Sequence, residues 1–80
     1  MTRQNFSFLD VSQQDELIDK YGLFVRTQLI DEYLCDIYLY DTFYVVFYYA
    51  INSTSAIRSK CFTSLDHIEH FIDVVERFKS

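Results

Sequence analysis

The hydrophobic positions of this 80-residue chain recur with helical spacing at both ends and alternate in the middle. Near the N-terminus they predict a helix over residues 11–21. Asp10 or Ser12 can cap this helix, and Gly22 follows it as a stop signal. The apolar stripe of the helix comprises Leu17, Ile18 and Tyr21, with Phe8 or Val11 behind them.

The C-terminal segment predicts a second amphipathic helix, which begins after Thr63 or Ser64 as the N-cap. Its apolar stripe consists of Leu65, Ile68, Phe71, Ile72, Val75 and Phe78. The opposite side is polar, so we expect one side of this helix to pack on a core and the other to face water.

Alternation between the two helices predicts four strands, over residues 23–30, 34–40, 44–51 and 56–62. Polar residues at 31–32, 41–42 and 52–55 predict the turns between them. The resulting order is α-β-β-β-β-α in a single domain of residues 1–80. We therefore predict the α+β class: a four-stranded antiparallel meander with the N- and C-terminal helices packed on one face.

The register of the strands decides which side chains face the helices, because a one-residue slip turns every side chain over. Two-residue loops would place Arg26 and Gln28 on the same face as Ile37, and Asp36 beside Phe47. Odd-length loops centred near Glu32 and Thr42 separate apolar from polar residues far better, and the turns lack the glycine that tight hairpins favour. The predicted core face carries Leu23, Val25, Thr27, Leu29, Cys35, Ile37, Leu39, Val45, Phe47, Tyr49, Ile51, Ile57 and Cys61.

The other face of the predicted sheet is expected to be open, since two short helices cover only one side. The chain has seven tyrosines and eight phenylalanines, and eight of these fifteen residues fall within residues 33–49. The candidate interaction residues on the open face are Arg26, Tyr38, Tyr40, Tyr44, Tyr48, Arg58 and Lys60. Tyrosine and arginine are enriched at interface centres. The sequence therefore predicts a non-enzymatic protein-interaction module, homodimeric or bound to another protein; a face whose side chains only cover one another is the structural alternative.

Composition limits the partners and the setting of the chain. The formal net charge is −5, which disfavours duplex DNA and anionic membranes, because both attract cationic surfaces. No long apolar segment predicts a signal peptide or membrane span, so a cytoplasmic location is expected. Cys35 and Cys61 lack metal-type spacing, and on the predicted core face they lie roughly 9–10 Å apart, too far for a disulfide.

Two other functions remain alternatives. Asp66, His67 and His70 lie within about one helical turn of each other, so they are candidate ligands of a metal-binding or enzymatic domain, but the pattern favours a solvated charged helix surface. The open aromatic face with its three cations also suits a stacking platform for single-stranded nucleic acid. No phosphate-binding glycine loop or nucleophile motif is present, so no cofactor and no catalytic residue is predicted.

One resemblance spans most of the chain. Gly22, Arg26, the pair Leu39-Tyr40, the triplet Phe43-Tyr44-Val45 and the final amphipathic helix are similar to features of small uncharacterised bacterial single-domain proteins. The resemblance rests on hydrophobic and aromatic positions, and it implies no activity, cofactor or site residue.

Overall fold

The structure, a computed structural model, describes the backbone of residues 1–79 and the side chains of residues 1–77. Its elements in chain order are α1 (Arg3–Ser7), α2 (Val11–Tyr21), β1 (Leu23–Ile30), β2 (Tyr33–Tyr40), β3 (Phe43–Ala50), β4 (Arg58–Phe62) and α3 (Leu65–Lys79). The four strands form one antiparallel sheet in the order β1-β2-β3-β4. The predicted α+β class and four-stranded meander are confirmed.

Local signals place the helix boundaries. The Asp10 carboxylate accepts a hydrogen bond from the Gln13 backbone N–H at 2.8 Å, and the Gln13 side chain accepts one from the Asp10 backbone N–H, which completes a capping box at the start of α2. Gly22 ends α2 where a Cβ atom would lie 2.8 Å from the Ile18 carbonyl oxygen. Ser64 caps α3 by accepting from the His67 backbone N–H at 3.2 Å. Helix α1, which the periodicity did not predict, begins at an N-cap formed by Thr2.

The first two hairpins have two-residue loops, so the predicted odd-length loops are wrong. Ile30 pairs with Tyr33, and Tyr40 pairs with Phe43. Only Asp31–Glu32 and Asp41–Thr42 remain in the loops, and both aspartates take a positive φ, of 56° and 55°. Aspartate tolerates this left-handed conformation better than most residues, and a positive φ at the first loop position suits a tight hairpin.

The register turns alternate side chains of the sheet toward two separate cores. The core between the sheet and α3 contains Ile30, Cys35, Ile37, Val46, Tyr48, Phe62, Ile68 and Ile72. The core between the sheet and the α1–α2 pair contains Phe6, Ile18, Phe43, Val45 and Phe47. Neighbouring residues Val45 and Val46 therefore point to opposite sides.

The helices consequently lie on opposite faces of the sheet, and the prediction that both pack on one face is wrong. The central strand β3 explains the difference, because its side chains Val45, Val46, Phe47 and Tyr48 are all buried. A strand that is apolar on both sides must be covered on both sides. Cys35 and Cys61 also lie on opposite faces, one in each core, which excludes a disulfide between them within one molecule.

Candidate functional site

The seven residues predicted to form one open face are divided between the two faces of the sheet. The α3 side carries Arg26, Tyr44, Tyr48, Arg58 and Lys60. The α1–α2 side carries Tyr38 and Tyr40. The predicted common surface is therefore not formed. The alternative of a stacking platform for single-stranded nucleic acid required the same single aromatic face, so the structure does not support it either.

The four tyrosines of that set contribute to packing. Tyr48 is only 3% exposed, and burial raises the pKa of its phenol to about 12, an effect that nearby Arg58 partly offsets. The Tyr40 ring packs 5.4 Å from Phe6, and the Tyr38 ring packs edge-on to Phe47 at 6.0 Å. Burial likewise raises the pKa of Tyr38. These phenol rings extend the two cores across the sheet.

Arg58 and Lys60 rest on aromatic rings at the outer edge of the α3 side. The Arg58 guanidinium carbon lies 4.6 Å from the centre of the Tyr48 ring, and the Lys60 Nζ lies 4.6 Å from the centre of the Phe71 ring. A cleft of about 240 Å³, here named the β4 cleft, is lined by Tyr48, Arg58, Ser59, Lys60 and Phe71. The third predicted cation, Arg26, lies across the sheet on β1, where it pairs with Glu69 of α3 and donates to Gln28 at 3.1 Å.

The candidate metal ligands Asp66, His67 and His70 are exposed on α3. The His67 Nδ1 atom lies at hydrogen-bond distance, 2.6 Å, from the Thr63 hydroxyl oxygen. Among the residues that the structure describes, no three His, Cys, Asp or Glu side chains are grouped so that they could hold a metal ion. The histidines of α3 are thus not brought together with a third ligand.

Sequence reasoning missed an exposed apolar surface along the first edge strand. Leu23, Phe24, Val25 and Leu29 of β1 and the adjacent Leu34 of β2 are large hydrophobic residues open to solvent. We name these five residues the β1 surface. Leu29 and Leu34 are cross-strand partners, and Leu34 also borders a cleft of about 400 Å³ with Thr27, Asp36 and Tyr49.

The sequence offered little that would reveal this surface. Leu23, Val25 and Leu29 alternate as core residues do, and they were predicted to be buried. Leu29 is exposed because α1 and α2 pack over β2, β3 and β4, which leaves the α1–α2 side of β1 bare. A bulge between Phe24 and Arg26 shifts the register, so that Leu23, opposite Leu39, lies on the α3 side at the end of the strand. Which strand lies at the edge of the sheet, and which part of the sheet the helices cover, is decided only when the whole chain has folded.

Comparison with protein-family models, with curated proteins and with solved structures gives no match for this chain. Along residues 1–79, none of the helices is both long and apolar enough to cross a lipid bilayer.

Proposed function

We propose that this chain is a non-enzymatic protein-interaction module that forms a homodimer through the β1 surface. The observation that supports the proposal most directly is the concentration of five exposed large hydrophobic residues on and beside one strand at the edge of the sheet. They flank the free edge on both faces of β1, and exposed apolar residues grouped along an unpaired edge strand are typical of interaction sites. The interaction surface is thus moved from the predicted tyrosine face to the edge of β1.

The edge of β1 suits strand-to-strand pairing better than the opposite edge does. An edge strand presents unpaired N–H and C=O groups that can bond to another strand, and natural proteins protect such edges with short strands and charged side chains. Strand β4 has both protections, since it is five residues long and carries Arg58 and Lys60. Strand β1 is eight residues long, and its one charged residue is Arg26.

Charge favours a second copy of the chain as the occupant of this edge. Two chains of net charge −5 repel each other, so they associate best where the local charge is lowest. On β1 the charge of Arg26 is balanced by Glu69 of the same molecule. Two β1 strands related by a two-fold axis pair antiparallel, and each strand then supplies the hydrophobic residues that cover the other.

The dimensions of β1 indicate a dimer of modest affinity. Its eight residues extend about 27 Å at ~3.4 Å per residue. Contact along this edge would bury on the order of 500 Å² per subunit, about 1,000 Å² in total, which is near the lower limit for a specific interface. The bulge shortens the regular part of the strand to Arg26–Ile30. We therefore expect a dissociation constant in the micromolar range, on the order of 10–100 μM.

Light scattering coupled to gel filtration tests the proposal with two matched variants. Leu29 on β1 and Ile51 in the turn after β3 are both 53% exposed. We expect Leu29→Lys to shift the dimer toward monomer, because it introduces a like charge on each side of the pairing, and Ile51→Lys to leave the dimer intact.

Protein concentrations from about 10 μM to about 1 mM cover the expected range of affinity. Wild-type protein that stays monomeric throughout this range would overturn the proposal. A dimer weakened equally by both substitutions would instead show that β1 is not the site of pairing.

A further inference from the structure

We propose that the β4 cleft binds a phosphate group through Arg58 and Lys60. The cleft lies at the edge opposite β1, so this inference is independent of the homodimer. Phosphate is recognised in proteins by guanidinium and ammonium groups that donate several charge-assisted hydrogen bonds at once.

The strand geometry brings the two cations to one face. Residues two apart on a strand project to the same side, so Arg58 and Lys60 both point toward α3, with Cα atoms about 6–7 Å apart. Cross-strand pairing places Arg58 opposite Tyr48. Both cationic groups therefore border the same cleft, which is large enough at about 240 Å³ to accept a phosphate group.

Aromatic rings hold the two cations in place without occupying their hydrogen-bond donors. Arg58 lies over Tyr48 and, at 5.6 Å, also over Tyr33, while Lys60 lies over Phe71 and, at 5.8 Å, over Phe62. A ring face attracts a cation through its quadrupole and accepts no conventional hydrogen bond. The N–H groups that do not face a ring thus remain available to an oxyanion.

In the described part of the chain, neither Arg58 nor Lys60 forms an ion pair with a carboxylate. Glu69 pairs with Arg26, and Asp73 pairs with Arg77 at 3.0 Å, further along the helix. Neither pair involves Arg58 or Lys60. In a chain with twelve acidic and seven basic residues, two adjacent cations in this state form a local positive site.

Tyr48 forms part of the wall of the cleft, and its largely buried ring supports Arg58. The hydrogen-bond donors for the phosphate are therefore those of Arg58 and Lys60. The phosphate could belong to free phosphate or to a phosphate ester, and the nearby Phe71 ring would add apolar contact to an aromatic ester.

NMR titration of the ¹⁵N-labelled full chain tests the site. Inorganic phosphate and phenyl phosphate are added separately to about 20 mM, against sodium chloride of equal ionic strength. We expect saturable shifts of the Ser59 and Lys60 amide signals with a dissociation constant on the order of 1 mM, tighter for the ester if an aromatic ester is the preferred source. Equal affinity would indicate recognition of the phosphate group alone, which equally supports the site.

Two double variants distinguish phosphate binding in the β4 cleft from general attraction of phosphate to positive charge. Arg58→Gln with Lys60→Gln is expected to weaken phosphate binding about tenfold or more. Arg3→Gln with Lys20→Gln removes the same charge elsewhere and is expected to retain binding. Lys60→Arg, which keeps the cation, is also expected to retain phosphate binding. If the double substitution at β4 disturbs the amide spectrum, this variant still shows whether a cation at position 60 supports binding.

Two results would overturn the inference. One is a wild-type spectrum in which phosphate causes no change beyond that of chloride. The other is equal loss of binding in the β4 pair and in the Arg3–Lys20 control, which would mean that phosphate follows net charge and does not occupy the cleft.

Discussion

Tyr48 lies within the core beneath α3, with the Arg58 guanidinium against its ring. A tyrosine in this position serves two purposes, because its ring fills the core and its face supports a cation near the surface. The alternation pattern had placed Tyr48 on an open face. At the scale of single residues, aromatic side chains with a polar tip are ambiguous, since the same residue suits a core, its margin or an interface.

The buried phenol of Tyr48 predicts a loss of stability at alkaline pH. Its pKa is about 12 in the folded chain and about 10 when unfolded, so the unfolded state releases its proton first as pH rises. The stability contributed by the neutral phenol is complete below pH 10 and is lost as pH rises toward 12. We expect a loss of about 1 kcal/mol in the free energy of unfolding at pH 11 from this residue.

Urea denaturation between pH 8 and pH 11 measures this dependence. Tyr48→Phe is expected to flatten the decline, while Tyr21→Phe, at an exposed tyrosine, serves as the control. Identical pH profiles for the two variants would contradict a titrating phenol buried at position 48.

At the scale of elements, α2, α3 and the four strands were predictable, whereas α1 and the register were not. Capping residues, Gly22 and the apolar stripe of α3 predicted α2 and α3 because these signals act locally. The register depended on loop length, which was argued from the lack of glycine in the turns. Asp31 and Asp41 adopt the positive φ that glycine usually supplies. A better signal was the uninterrupted apolar run of β3, since an exposed face would require polar residues at alternate positions.

The first hairpin loop predicts an unusual response to glycine. We expect Asp31→Gly to preserve or raise the melting temperature, because glycine adopts a positive φ without steric cost. Asp31→Ala is expected to lower the free energy of unfolding by about 1 kcal/mol. Glu32→Ala, at a position without a positive φ, is the control. Equal destabilisation by glycine and alanine at Asp31 would mean that the loop conformation is different.

Helix α1 predicts a strong contrast between two phenylalanines near the N-terminus. Phe6 is 0% exposed and packs 5.5 Å from the Phe43 ring, whereas Phe8 is 79% exposed. We expect Phe6→Ala to cost about 3–5 kcal/mol and Phe8→Ala less than about 0.5 kcal/mol in chemical denaturation. Similar, small effects at both positions would show that α1 does not cover the sheet.

At the scale of the whole molecule, the sheet is the middle layer between α3 and the α1–α2 pair. This arrangement removes the open aromatic face and leaves the exposed hydrophobic residues of β1 at one edge and the cations of β4 at the other. Both proposed surfaces therefore follow from the way in which the helices cover the sheet. The face on which each helix packs could not be predicted from periodicity alone, because the same sequence pattern suits either face.

The adjacent residues Val45 and Val46 provide the most direct test of the two-sided sheet. Nuclear Overhauser effects from their methyl groups report which side chains lie within about 5 Å. We expect Val45 to show contacts with the cluster of Phe6 and Ile18, and Val46 with the cluster of Ile68 and Ile72. Contacts from both valines to the same helix, or a Val46 methyl that contacts neither, would contradict a sheet covered on both faces.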